Sequence, residues 1–187
     1  MLLNRKNIQI LEPFIFNYNK KITASEIARI YNLNQKSVYL FLESLEKDSI
    51  LLSEFQGKNK LYFFNKDNKE LVKHFICVVE HSRTINFFKK NPELKFIFHK
   101  ILPHINGTLV VFGSYAKNIQ KEDSDLDLFV LGHFNEKEID IISKTFNMDV
   151  NIKFQKRYKD DTLTKEIKKN HIIVKGIEKF IESVWDG

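Results

Sequence analysis

Two aspartates, Asp125 and Asp127, alternate with Leu126, Leu128 and the pair Phe129-Val130. That alternation reads as a β-strand, in which side chains at i and i+2 point to one face, so the two carboxylates project together. Carboxylates held this close repel one another unless a cation lies between them, and a divalent metal is the usual answer. Upstream, Gly113-Ser114 follows the apolar run Leu109-Val110-Val111-Phe112. The glycine lets backbone approach a ligand closely, and Ser114 adds a hydroxyl and an amide at a strand-to-helix turn, where phosphate oxygens are commonly held. Metal carboxylates beside a phosphate-binding turn are the parts of a nucleotidyl-transfer site. In such a site two ions about 3.5–4 Å apart stabilise the attacking and leaving oxygens together.

The pattern can be followed further. Gly113-Ser114 and Asp125-Leu126-Asp127 are separated by the ten residues from Tyr115 to Ser124, and a later run, Phe146 to Phe154, offers another acid, Asp149, on a second strand. Asp149 shares a strand face with Asn151 and Lys153, with Val150, Ile152 and Phe154 on the other. The segment from Pro92 to Trp185 thereby resembles the DNA polymerase beta-type nucleotidyltransferase superfamily, in particular its minimal nucleotidyltransferases. What the resemblance implies is an enzyme that moves a nucleotide from a nucleoside triphosphate, with release of pyrophosphate. Asp125, Asp127 and Asp149 would be the catalytic, metal-holding carboxylates, two magnesium ions the cofactors, and ATP the expected substrate. Gly113, Ser114 and Lys117 would bind the triphosphate. The acceptor is expected to be a hydroxyl on a protein, as in toxin-antitoxin pairs of this type. The other reading is a DNA-binding regulator whose nucleotidyltransferase-like domain senses nucleotide or dimerises without catalysis.

The first third carries a different pattern. Thr23 and Glu26 form a capping box ahead of a short helix bearing Ile27, Ala28, Ile30 and Tyr31. Asn34 caps a second helix, Gln35 to Lys47, with Val38, Phe41, Leu42 and Leu45 at helical spacing. Two strands follow, Ile50 to Phe55 and Leu61 to Phe64, around the basic loop Gln56-Gly57-Lys58-Asn59-Lys60. Helix, helix, helix and hairpin is the order of a winged helix-turn-helix, and the segment from about Asn4 to Asn65 resembles that family. The resemblance implies duplex DNA as a partner, with Gln35, Lys36, Ser37 and Tyr39 near the bases and Lys58 and Lys60 against phosphates.

Between these parts, a helix from about Lys69 toward Phe88 repeats Leu71, Val72, Phe75, Ile76, Val79 and Ile85, which predicts burial between domains or in a homodimer. Pro92 opens a further helix to about Leu102. The expected fold is α+β: a winged helix-turn-helix over 1–66, a connecting helix over 67–90, and a small mixed-sheet nucleotidyltransferase domain with flanking helices over 91–187. Composition agrees with a cytoplasmic protein. The chain of 187 residues has a net charge of +6, which favours a polyanionic partner, and its single cysteine, Cys77, excludes an internal disulfide. No apolar run approaches the length needed to span a bilayer, so no membrane partner is expected.

Overall fold

The computed structural model describes residues 4–121 and 123–185. The fold is α+β, and the chain forms two compact units, the first reaching Val79 and the second beginning at Glu80.

In the first unit the helices begin where side chains can satisfy their free N–H groups. Asn4 caps α1 (Arg5–Phe16), accepting from the Asn7 amide at 2.9 Å. After the two-residue β1 (Ile22–Thr23), the capping box forms as expected on α2 (Ala24–Tyr31). The Glu26 amide donates to Thr23 Oγ1 at 3.2 Å and the Thr23 amide to Glu26 Oε2 at 3.0 Å. Asn32 takes a left-handed conformation that ends α2, and Asn34 opens α3 (Gln35–Lys47) by accepting from the Ser37 amide at 3.0 Å. Strands β2 (Leu51–Gln56) and β3 (Asn59–Phe64) pair antiparallel, and β1 adds to β3, giving the order β1-β3-β2.

Three expectations are corrected here. The hairpin loop is only Gly57-Lys58, because Gln56 pairs with Asn59 and Phe55 with Lys60. Gly57 has φ +63°, the geometry that a two-residue turn needs at its first position. Ile30, read as part of the apolar face of α2, is 59% exposed, whereas Ile27 and Ala28 are buried. Similarly, on α4 (Lys69–Lys90) the residues Val72, Phe75, Ile76 and Val79 are buried, but Leu71 and Ile85 are exposed.

The second unit takes up the last part of α4 and continues through α5 (Leu94–Ile101), β4 (Ile105–Val111) and the five-residue α6 (Gly113–Lys117). There follow β5 (Leu126–Phe134), α7 (Glu136–Phe146), β6 (Val150–Gln155), α8 (Thr162–Lys169), β7 (Ile172–Lys175) and α9 (Ile177–Trp185). The sheet order is β6-β5-β4-β7, with β5 and β6 parallel and the other pairs antiparallel. A parallel pair needs a crossover, and α7, capped by Asn135 and ended by the left-handed Asn147, supplies it. One sheet face buries Leu109, Val111, Leu126, Leu128 and Val130 against Leu94, Ile97, Phe98 and Ile101 of α5 and Ile139 and Ile142 of α7. Residues of the other parity, Val110, Phe129 and Ile173, are buried on the second face, and α9 packs on β4 and β7.

A buried polar cluster ties α4 to the start of β7. Glu80, Arg83 and His171 are 0%, 5% and 1% exposed. The Arg83 guanidinium donates to both Glu80 oxygens, at 3.0 and 2.8 Å, and to the His171 carbonyl at 2.6 Å. His171 Nε2 lies 2.9 Å from Glu80 Oε1. Burial works to raise the Glu80 pKa, but the charges of Arg83 and His171 outweigh it and hold the carboxyl below its ordinary value.

Candidate active site

The site gathers at one end of the second sheet, where β4 ends and β5 and β6 begin. Leu126 turns into the core, so the residues on either side of it, Asp125 and Asp127, lie on the opposite face of the sheet. Asp125 is exposed and Asp127 half-buried. The Phe112 amide donates to the Asp127 carbonyl at 3.0 Å, so the ladder between β4 and β5 reaches the residue before Gly113. Gly113 itself has φ +68°, and a Cβ built on it would stand 2.1 Å from Asp127 Oδ2 and 2.9 Å from Asp127 Cγ. A carboxylate is therefore pressed against the turn, in space that only a glycine leaves open. Ser114 is half-buried in the first turn of α6, its carbonyl accepting from the amides of Asn118 and Ile119, and Lys117 is exposed at the end of that helix.

Side chains anchor Asn118 and Gln120, which follow α6. Gln120 Nε2 donates to Asn91 Oδ1 at 2.8 Å, and Asn91, only 3% exposed, donates in turn to the Phe87 carbonyl at 2.9 Å. Lys90 Nζ reaches Asn118 Oδ1 at 3.0 Å, the left-handed residue that ends α6. Both attachments come from the chain at and just after the end of α4, so Asn118 and Gln120 are held by the scaffold at two points.

The parallel register of β5 and β6 decides which residues face the aspartates. Leu126 pairs with Val150, Asp127 with Asn151 and Phe129 with Lys153. Asn151 Nδ2 donates to Asp125 Oδ2 at 3.0 Å. Burial, followed by the charge of Asp125, pushes the Asp127 pKa up, while the Asn151 hydrogen bond and the Lys153 charge pull the other way. Asp149 lies just before β6, exposed, and its carbonyl accepts from the Leu126 amide at 2.8 Å. Among the described residues no three His, Cys, Asp or Glu side chains form a group able to hold a metal ion. The turn, Asp125 and Asp127 thus come together, with the Asn151 amide bonded to Asp125 and the exposed Asp149 at the head of β6. Asp125 and Asp127 suit one hard cation. Asn91 and Gln120 were not singled out from the sequence, and Asn151 and Lys153 entered only as sharers of the Asp149 strand face. Asn151 and Lys153 share the alternation of Asp149, which was a signal, but strand register is set by pairing and is not written in one strand alone.

In the first unit Gln35, Lys36, Ser37 and Tyr39 are exposed on the opening turns of α3, with the Ser37 amide and hydroxyl both turned to Asn34 Oδ1. Lys58 is exposed at the hairpin tip. Lys60 differs from the expectation, because its ammonium donates to Glu43 and, at 2.8 Å, to Glu46 of α3 and lies over the Tyr62 ring. Burial works to lower its pKa, and the bonds to Glu43 and Glu46 outweigh that and raise it.

Residues 92–184 match the family model described as the nucleotidyltransferase domain. An uncharacterized protein of Methanocaldococcus jannaschii is 33% identical over 88 residues, which cover 46% of this chain and 17% of that relative. The chain therefore spans about a sixth of the length of the curated relative it matches. No solved structure matches. No helix among the described residues is long and apolar enough to cross a membrane.

Proposed function

Taking residues 92–184 as a nucleotidyltransferase domain, we propose that the chain transfers AMP from ATP to a hydroxyl on a protein, with its first unit docking on duplex DNA. The observation that carries this reading is the contact of the Gly113 turn with Asp127, which sets a phosphate-binding backbone directly against a carboxylate pair. Asp125 and Asp127 would hold magnesium, which supplies Lewis-acid charge at the phosphate oxygens. Gly113, Ser114 and Lys117 bind and orient the triphosphate. The acceptor oxygen forms a bond to the α-phosphorus while the bond to the β-phosphate bridging oxygen breaks, so pyrophosphate leaves. The proton of the acceptor passes to Asp149, the exposed carboxylate at the head of β6. In the first unit, α2, α3 and the β2–β3 hairpin are used as a winged helix, with Gln35, Lys36 and Tyr39 toward bases and Lys58 toward phosphate.

A second reading draws on Asn151. An amide beside Asp125, where a third carboxylate is expected, suits a DNA-binding regulator that holds nucleotide without turning it over. One experiment separates the two. The protein is incubated with α-labelled ATP, magnesium and the product of the neighbouring gene. Transfer predicts label on a serine, threonine or tyrosine of that partner, lost on Asp127→Asn with the fold retained. Unlabelled partner together with ATP-dependent changes in promoter binding selects the regulator.

A further inference from the structure

The two halves of the carboxylate site are not alike. On the β5 side stand Asp125 and Asp127, and on the β6 side, in parallel register and on the same face, stand Asn151 and Lys153. The Asn151 amide group points its N–H at Asp125 Oδ2, 3.0 Å away. A bound ion needs a lone pair there, and an N–H offers none. Lys153, exposed and two residues beyond Asn151 on the same face of β6, stands opposite Phe129, the residue two beyond Asp127. Asp125, Asp127, the Asn151 amide and Lys153 carry a net charge of about −1, and the exposed Asp149 at the head of β6 brings it to about −2, where three carboxylates without the lysine would carry about −3 and balance two divalent ions better. Resting on the nucleotide-binding reading above, we infer that this site holds its nucleotide with one divalent ion and one lysine. Asn151 positions Asp125 for that single ion, and Lys153 supplies the second positive charge to the triphosphate oxygens.

Asn151 is accordingly a positioning residue, acting through Asp125, and Lys153 touches substrate. A lysine ammonium is a compact point charge with three donors, suited to phosphate oxygens. Because it is covalently fixed, it arrives with the fold rather than by binding, and the site then requires less free metal than a two-ion site does.

The test counts ions rather than turnover. Mn2+ is titrated into the full chain with the α,β-methylene analogue of ATP, which cannot release pyrophosphate, and bound ion is followed by electron paramagnetic resonance. The native chain is expected to take one Mn2+ per bound nucleotide. Asn151→Asp should take two, and Asn151→Ala should keep one with weaker ion affinity, so a folding failure of the first variant leaves the second to decide. Lys153→Ala should weaken nucleotide binding about tenfold, the loss of one charge-assisted hydrogen bond, with Lys153→Arg recovering most of it. Two ions per nucleotide in the native chain overturns the inference and leaves the nucleotidyltransferase reading standing, as does unchanged affinity in Lys153→Ala. Binding of ion and nucleotide that survives Asp125→Asn together with Asp127→Asn, or no binding at all, overturns both.

Discussion

Gly57 and Gly113 share nearly the same backbone conformation, φ +63° and φ +68°, and differ in what surrounds them. A Cβ on Gly57 meets nothing within 4 Å, whereas one on Gly113 meets Asp127 Oδ2 at 2.1 Å. Each change to alanine places a side chain in the left-handed region at a cost of about 1–2 kcal/mol. In Gly113→Ala the Asp127 carboxyl must swing away and strand β5 must give by a few tenths of an ångström at Asp127 Cβ, 3.1 Å from the added methyl, which displaces the carboxylate from the turn. The expected result is a loss in the urea midpoint for both, larger for Gly113→Ala, with nucleotide binding, measured by calorimetric titration of ATP and magnesium, lost in Gly113→Ala alone. At this scale the site was largely legible. Glycine before the turn, the ten-residue interval and the alternating aspartates are local facts. What was not legible is the neighbour of those aspartates. Asp149, Asn151 and Lys153 alternate on one face, and only the pairing of Asp127 with Asn151 chooses among them.

At the scale of elements, the β2–β3 hairpin presents one of its two expected lysines. Lys60 is neutralised by Glu43 and Glu46, and Lys58 is exposed. If the first unit binds duplex DNA, Lys58→Ala should reduce the slope of log affinity against log salt by about one, as a lost phosphate contact does. Lys60→Ala should leave that slope unchanged and lower the unfolding midpoint instead, since two carboxylates lose their partner. Filter binding across a salt series, beside a thermal melt, reads both. The join between α4 and β7 makes a second prediction. Glu80→Gln leaves Arg83 without its buried counter-charge and should destabilise the second unit by about 3–5 kcal/mol. Because the native Glu80 carboxyl is held below its ordinary value of 4.5, its stabilisation is complete above that value. It is lost as pH falls through the lower, native value. Urea midpoints followed downward from pH 5 should therefore fall more steeply in the native chain than in Glu80→Gln. The helix starts at Thr23 and Asn34 were legible because caps are local. The roles of Glu80, Arg83 and His171 were not, since polar residues scattered along a helix read as solvated until a partner 88 residues distant is placed beside them.

On the scale of the molecule, the segment that matches the family model, 92–184, is shorter than the unit that folds around it. Arg83 bonds the His171 carbonyl, Thr84 Oγ1 donates to the Ile173 carbonyl at 2.8 Å, and Phe87 packs in the core beside Phe98 with ring centroids 6.5 Å apart. All three precede Pro92. A fragment of residues 92–185 should therefore lack a cooperative thermal transition, whereas a fragment of residues 69–185 should show one, as followed by far-ultraviolet circular dichroism. A sequence boundary drawn at the proline punctuation near residue 91 divides the chain where the backbone turns. The core divides it at Val79 and Glu80, inside a helix whose sequence gives no break.

The bond from Arg83 to the His171 carbonyl also sets an order of events during synthesis. The ribosome makes Glu80 and Arg83 long before His171, and until His171 emerges the pair has neither the imidazole nor the carbonyl that completes its burial. Lys90 and Asn91, at and just after the end of the same helix, meet Asn118 and Gln120, so α4 joins one set of contacts made early to another made late. A chain released before residue 171 would therefore carry Glu80 and Arg83 without the partners that complete their burial, and the cluster marks whether the second unit has been made to its end.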